Sequence, residues 1–323
     1  MTADKARSVL AVDLGGTNIR VAVVSTSGAL THRRAIATDA KDGHPSVIRR
    51  MTGLINEVAG DAGLPPMTPV GVASPGPLDP HTGVVLFTPN LPGWRDVPLG
   101  PSLSDGAGRH VSVANDGNCA VLGEMRFGAA RGATNIVYLA LGTGVGGGVV
   151  SNGQLVDGVR GFGAELGHTV VALDGPRCTC GGIGCLEAFV AGWAIGREGE
   201  LVATTADGEA ILAAAGDGPV TAGAVAAAAK AGDRAAVAIL ERAGHALGAA
   251  IGSFVNTFNP EIVVIGGGVA AIGDLLLKPA RRAIPQYSFV ANRSCMRIVR
   301  SSLGDDTALF GAAALALGTS ALS

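Results

Sequence analysis

Ser8–Leu14 is an unbroken apolar run that ends in Asp13-Leu14-Gly15-Gly16-Thr17-Asn18, and a second apolar run, 19–25, follows at once. Two such runs across a glycine turn predict a hairpin of two strands. Val47, Ile48, Met51, Leu54, Ile55 and Val58 then recur at helical spacing and predict a helix over about 44–63. Residues 70–73 and 111–114 read as further strands, the second leading directly into a helix over about 117–127. The opening pattern returns in mid-chain, where the run 135–141 enters a glycine-rich turn and continues into Val149-Val150. One strand–glycine turn–strand unit in each half predicts two related lobes, each opening with a hairpin whose turn faces a common cleft. Beyond residue 185 the chain reads as mostly helical, with a long amphipathic stretch over 233–258. A buried strand over 262–265 precedes Gly266-Gly267-Gly268, and Asp306 is a good N-cap for a last helix over Thr307–Leu317. The Pro- and Gly-rich stretch 75–101 reads as a functional loop region.

Composition narrows the class. The 323 residues suffice for two domains. Hydrophobic residues make up 48% but aromatics only 4%, which suits α/β layers whose small side chains let helices and strands approach closely. Net charge is −2 and Lys and Arg are scattered, so a nucleic-acid groove is not expected. The longest apolar stretches fall short of the ~20 residues that span a bilayer, and no signal peptide is visible. With five cysteines and no export signal, a disulfide framework is not expected and a cytoplasmic location is. Cys119 and Cys295 read as free buried thiols.

Glycine runs after strands let backbone N–H groups approach a phosphate without a Cβ in the way. Gly15-Gly16-Thr17 and Gly142-Thr143-Gly144 are such turns, and with Gly266-Gly267-Gly268 they point to a nucleotide, although tight hairpins need glycine too. Gly142, Gly144 and Gly147 also fit the dinucleotide pattern G-x-G-x-x-G, but strand follows where that pattern needs a helix. No P-loop motif is present.

Three of the five cysteines lie in Cys178-Thr179-Cys180-Gly181-Gly182-Ile183-Gly184-Cys185-Leu186-Glu187, with His168 just upstream. His168, Cys178, Cys180 and Cys185 form a four-ligand set that tetrahedral zinc prefers, and a closed site of this kind braces a loop. Glu165 and Glu187 flank that loop. Together with His168 they suit the hydroxyls of a polyol, unless the glutamates are plain surface charges. Asn115-Asp116 sits at a strand–helix junction, where a carboxylate can take a proton from an attacking alcohol or can merely cap the helix. Asp13 suits magnesium or phosphate orientation, or else a buried turn carboxylate bonded to backbone.

Taken together, these motifs resemble the ROK family of bacterial sugar kinases and repressors, within the actin-like, sugar kinase and Hsp70 superfamily. The resemblance covers essentially the whole chain and implies an α/β, two-lobed actin-like ATPase fold. The lobes expected are residues 1–118, rejoined by a C-terminal helix within 305–323, and residues 119–304 with the zinc loop. The resemblance implies transfer of the γ-phosphoryl of MgATP to O6 of glucose, with Asp116 as the base. Gly76, Asn90, Asn115, Glu165, His168 and Glu187 would contact the hexose. Gly15, Gly16, Thr17, Gly142, Thr143 and Gly144 would approach the ATP phosphates, and Gly266, Gly267 and Gly268 the adenosine side. The repressors of the family carry a DNA-binding domain before the first strand, and about seven residues precede it here. The Cys-x-Cys-Gly element points to the glucokinase branch rather than the fructokinases. Ala114 departs from the acidic residue that many relatives place before Asn-Asp. A homo-oligomer, dimer or tetramer, is expected, and the small residues of 233–258 fit an interface or the core equally. A mannose or N-acetylhexosamine kinase and a non-catalytic sugar sensor are the competing readings.

Overall fold

The structure is a computed structural model that describes residues 8–88 and 91–318. The chain forms two compact units, which divide it at Thr134/Asn135, Gly147/Gly148, Ala164/Glu165 and Ser301/Ser302. In the first unit β1 (Ser8–Leu14), β2 (Asn18–Ser25), β3 (Leu30–Ala37), β4 (Val70–Ser74) and β8 (Val111–Asn115) form a sheet in the order β3-β2-β1-β4-β8. The hairpin pairs are antiparallel, whereas β4 runs parallel to both β1 and β8.

Both faces of this sheet are covered, which is why its central strands are apolar without interruption. Alternate residues of β1 point to opposite sides. Leu10, Val12 and Leu14 join one core with α1 (His44–Ala62) and α2 (Leu99–Ala107), through Met51, Leu54, Ile55, Leu99 and Leu103. Val9 and Ala11 join the other, which is built of small residues: Ala22, Ala73, Ala114, Ala312 and Ala313. There α11 (Thr307–Leu317) lies so close that a Cβ on Gly71 would fall 1.8 Å from the Ala312 carbonyl oxygen. The alanine and glycine content of the chain is therefore a packing requirement of this face. α3 (Asp116–Arg126) packs beside α11.

The second sheet runs β11-β10-β9-β12-β13, from β9 (Ile136–Leu141), β10 (Val145–Ser151), β11 (Gln154–Leu155), β12 (Ile262–Gly266) and β13 (Arg297–Arg300). Its order mirrors the first: the strand before the glycine turn is central, flanked by its hairpin partner and by a parallel strand. The internal echo in the sequence is thus an echo in topology. Around it stand α4 (Glu187–Val190), α5 (Gly192–Ala203), α6 (Glu209–Ala215), α7 (Ala222–Lys230), α8 (Arg234–Phe258), α9 (Asp274–Tyr287) and α10 (Val290–Arg293). The small-residue stripe of α8 faces α9, where a Cβ on Gly248 would lie 2.3 Å from the Ala280 carbonyl oxygen.

Several expectations need adjusting. The stretch 75–101 is not only loop: β5 (Leu78–Asp79), β6 (Val84–Phe87) and β7 (Arg95–Val97) form a small antiparallel sheet. Strands this short, broken by proline and glycine, are too brief to show a period. The passage between units falls at Thr134/Asn135 rather than 118, because the whole of α3 packs against α11 in the first unit. Cys119 is buried, but Cys295 is exposed, in the turn between α10 and the edge strand β13. Among the described residues no helix is long and apolar enough to cross a membrane.

Candidate active site

In the first unit the chemistry collects at the carboxyl ends of three adjacent strands. Asp13, Ala73 and Ala114 share one register line across β1, β4 and β8, and Ser74 pairs with Asn115 one step on. Such ends are where open α/β sheets bind ligands. The Asn115 side chain caps α3, accepting the Gly117 N–H at 2.8 Å, and Asp116 Oδ1 accepts the same N–H at 2.8 Å. Capping is therefore shared, and Asp116 is exposed. Gly76 lies tightly against Asn115: a Cβ would sit 3.1 Å from Asn115 Nδ2. Asn90, the other expected sugar contact on these loops, lies outside the described residues.

Asp13 is bonded to a side chain rather than to backbone. Arg20 donates to its Oδ2 from Nε at 2.7 Å and Nη2 at 2.6 Å, while Nη1 reaches the Asp305 carbonyl at 2.7 Å. Burial pushes the Asp13 carboxyl above its ordinary range, outweighing the nearby guanidinium. Gly15, Gly16 and Thr17 follow after Leu14, and Gly16 and Thr17 are exposed.

In the second unit the turn Gly142–Gly144 closes with Gly142 N–H donating to Gly144 C=O at 2.9 Å, and Gly192 N–H donates to Gly142 C=O at 2.8 Å. Glu187 is buried beside it, and its oxygens are engaged: Oε2 accepts the Val145 N–H at 2.9 Å, Oε1 the Thr179 hydroxyl at 2.9 Å. Gly144 has no space for a Cβ, which would come within 2.7 Å of Glu187 Oε2. Glu165 is exposed, and its carbonyl accepts the His168 N–H at 3.0 Å.

The ligand atoms of His168, Cys178, Cys180 and Cys185 all lie within 4.8 Å of one another. The Sγ atoms of Cys180 and Cys185 are 3.8 Å apart, as are Cys178 Sγ and His168 Nδ1. A tetrahedron with Zn–S bonds of ~2.3 Å has edges of roughly 3.8 Å. The backbone builds this knuckle: Gly182 C=O accepts the Cys178 N–H at 2.9 Å, Val170 bridges Cys185, and Arg177 bridges Ile183. Burial pushes Cys178 up and, with its thiol neighbours, Cys185 to about 12, whereas the Gly182 N–H lowers Cys180. A thiol-rich donor set of this depth suits a divalent soft-to-borderline cation that displaces the protons. The fit to zinc is good.

Also in the second unit is a largely apolar cavity of about 950 Å³ lined by Gly142, Thr143, Trp193, Arg197, Lys230 and Gly268, among others. The Arg197 guanidinium lies over the Trp193 ring at 5.3 Å. Its size and lining suit a nucleotide base and ribose.

Comparison with known proteins identifies the family. The model of the ROK family matches residues 9–319. The chain belongs to the ROK family. It is 41% identical over 95% of its length to a glucokinase of Thermotoga maritima, 96% of which is covered. Among solved structures it is similar to the ROK hexokinase of Thermus thermophilus, with TM-score 0.83, 34% identity and coverage of 96% and 98% of the two chains. It is also similar to a ROK family glucokinase of Streptomyces griseus in complex with glucose and AMPPNP, with TM-score 0.78, 30% identity and coverage of 96% and 99%. The fold is accordingly that of the actin-like sugar kinases.

Set against this ROK architecture, most of the expected residues fall into groups within each unit: Asp13, the first turn, Gly76, Asn115 and Asp116 in one, the second turn, Glu187 and the cysteine–histidine cluster in the other. The triple glycine is divided. Gly266 is buried, with a Cβ position 2.4 Å from the Tyr138 hydroxyl, and Gly267, at φ 87°, fits against the Leu141 carbonyl. Only Gly268 of the three lines the cavity. Trp193, Arg197 and Lys230 were not anticipated. The Gly192-x3-Gly196 spacing on α5 was the available signal, since small residues there open one helix face.

Proposed function

We propose that this chain is a glucokinase, transferring the γ-phosphoryl of ATP to O6 of glucose. The observation that carries the proposal is the Asn115-Asp116 pair at the carboxyl end of β8 in a chain 41% identical to a glucokinase. Asp116 accepts the proton of the 6-hydroxyl as that oxygen bonds to the γ-phosphorus and the bond to the β–γ bridging oxygen breaks, releasing ADP. Gly15, Gly16, Thr17, Gly142, Thr143 and Gly144 receive the phosphates, and Asp13 orients them with the magnesium that accompanies ATP. The cavity beside Gly268 takes the adenosine.

Asn115, Glu165, His168, Glu187, Gly76 and Asn90 receive the hexose hydroxyls. With Nδ1 of His168 turned to Cys178, Nε2 is the nitrogen left for the sugar. Zinc held by His168, Cys178, Cys180 and Cys185 supplies structure alone: it fixes the loop that carries these groups. The protein works in the cytoplasm as a dimer or tetramer.

A coupled ADP-release assay across glucose, mannose, fructose, N-acetylglucosamine and N-acetylmannosamine tests the reading. Glucose is expected to give the highest kcat/KM. A larger value for another sugar would reassign the substrate, and no ADP with any sugar would make the protein a sensor.

A further inference from the structure

Thr38, the residue after β3, is a polar side chain with no solvent exposure. It sits behind the first glycine turn. Its N–H donates to the Thr17 carbonyl at 2.8 Å and its hydroxyl to the Gly15 carbonyl at 2.6 Å. The turn also closes on itself, Gly15 N–H donating to Asn18 C=O at 2.9 Å. Thr38 is in turn fixed from α1: Arg50 Nη2 donates to the Thr38 carbonyl at 2.6 Å and to the Asp39 carbonyl at 3.0 Å, while Nη1 bonds the Asp42 carboxylate at 2.9 Å.

The consequence follows from the planarity of the peptide. In a trans peptide the carbonyl of one residue and the N–H of the next point in opposite directions. Drawing the Gly15 carbonyl inward onto the Thr38 hydroxyl therefore turns the Gly16 N–H outward, on the exposed side of the turn. A donor fixed in advance needs no reorganisation when a phosphate arrives.

We propose that Thr38 is a positioning residue for the phosphoryl donor, aiming the Gly16 N–H through its bond to Gly15. This rests on the reading of the first turn as a phosphate site. A merely structural Thr38 would contribute packing that valine supplies equally well.

The test compares Thr38→Val, which removes the hydroxyl, with Thr38→Ser, which keeps it. Thr38→Val is expected to raise KM for MgATP roughly tenfold, the effect of one buried carbonyl losing its donor. Glucose affinity, measured calorimetrically without nucleotide, should hold, and Thr38→Ser should behave as the parent. Amide hydrogen exchange at Gly15 should quicken in Thr38→Val alone. An unchanged KM for MgATP in Thr38→Val, equal impairment in Thr38→Ser, or unchanged exchange at Gly15 would each overturn the proposal. A parent protein that releases no ADP with any sugar defeats the functional reading instead, and the exchange measurement then still decides the clamp.

Discussion

Glu187 Oε2 accepts the Val145 N–H at 2.9 Å, so the residue that ends the cysteine loop also holds the far side of the second glycine turn. The cysteine loop and the glycine turn of the second unit thus share one carboxylate. Glu187→Gln keeps an oxygen for Val145 and should cost no more than about 1 kcal/mol in stability. Glu187→Ala strands that N–H and should cost about 1–3 kcal/mol. Both should weaken glucose binding at least tenfold. Urea melts and glucose calorimetry on the two variants check the separation; loss of stability equal in both would refute it.

Asp116→Asn retains an oxygen for the Gly117 N–H and leaves the Asn115 cap in place, so the fold should persist. Without a base, kcat should fall by about 10²–10⁴-fold or more, with glucose binding largely intact. Near-normal turnover would remove Asp116 from its role.

Stripping the metal with a chelator should loosen residues 168–187, seen as faster amide exchange, and weaken glucose binding. Readdition of zinc should restore both. Glucose affinity that is the same in the metal-free protein would show that the cysteine cluster does not brace the sugar-side groups.

Ionised Asp13 carries a stability cost. Its folded-state pKa is raised, mainly by burial, so the folded state holds the proton more tightly than the unfolded chain. That difference favours the fold at acid pH and is lost as pH rises through the folded pKa. At pH 7 Asp13→Asn should therefore be at least as stable as the parent, with the gap closing as pH falls towards the ordinary carboxylate range. Phosphoryl transfer should nonetheless drop. Denaturant melts at several pH values decide the sign; a markedly less stable variant at pH 7 would reverse it.

The central strands were legible because burial on both faces leaves an uninterrupted apolar run, as in β1, β4 and β12. The cysteine–histidine set was legible because its ligand types and spacing belong to few other arrangements. β3 was not, since Leu30–Ala37 lies at the sheet edge and exposes most of its residues. Nor was the cavity: Gly192-x3-Gly196 marks one face of α5, but Trp193, Arg197 and Lys230 come to one cavity only after α5 and α7 pack. Gly266 and Gly267 are held by packing as well, with Tyr138 and Leu141 where a Cβ would lie.

The alanine face of the first sheet has a kinetic corollary. Val9, Ala11 and Ala73 emerge from the ribosome long before Leu309, Ala312 and Ala313, which cover them. Until then that side of the sheet is covered only in part, by Cys119 of α3 and Phe127, and nascent intermediates with open apolar surface are the ones prone to aggregate. Completion of the first unit thus waits on the last helix, and truncations that remove it should yield insoluble protein rather than a smaller folded one.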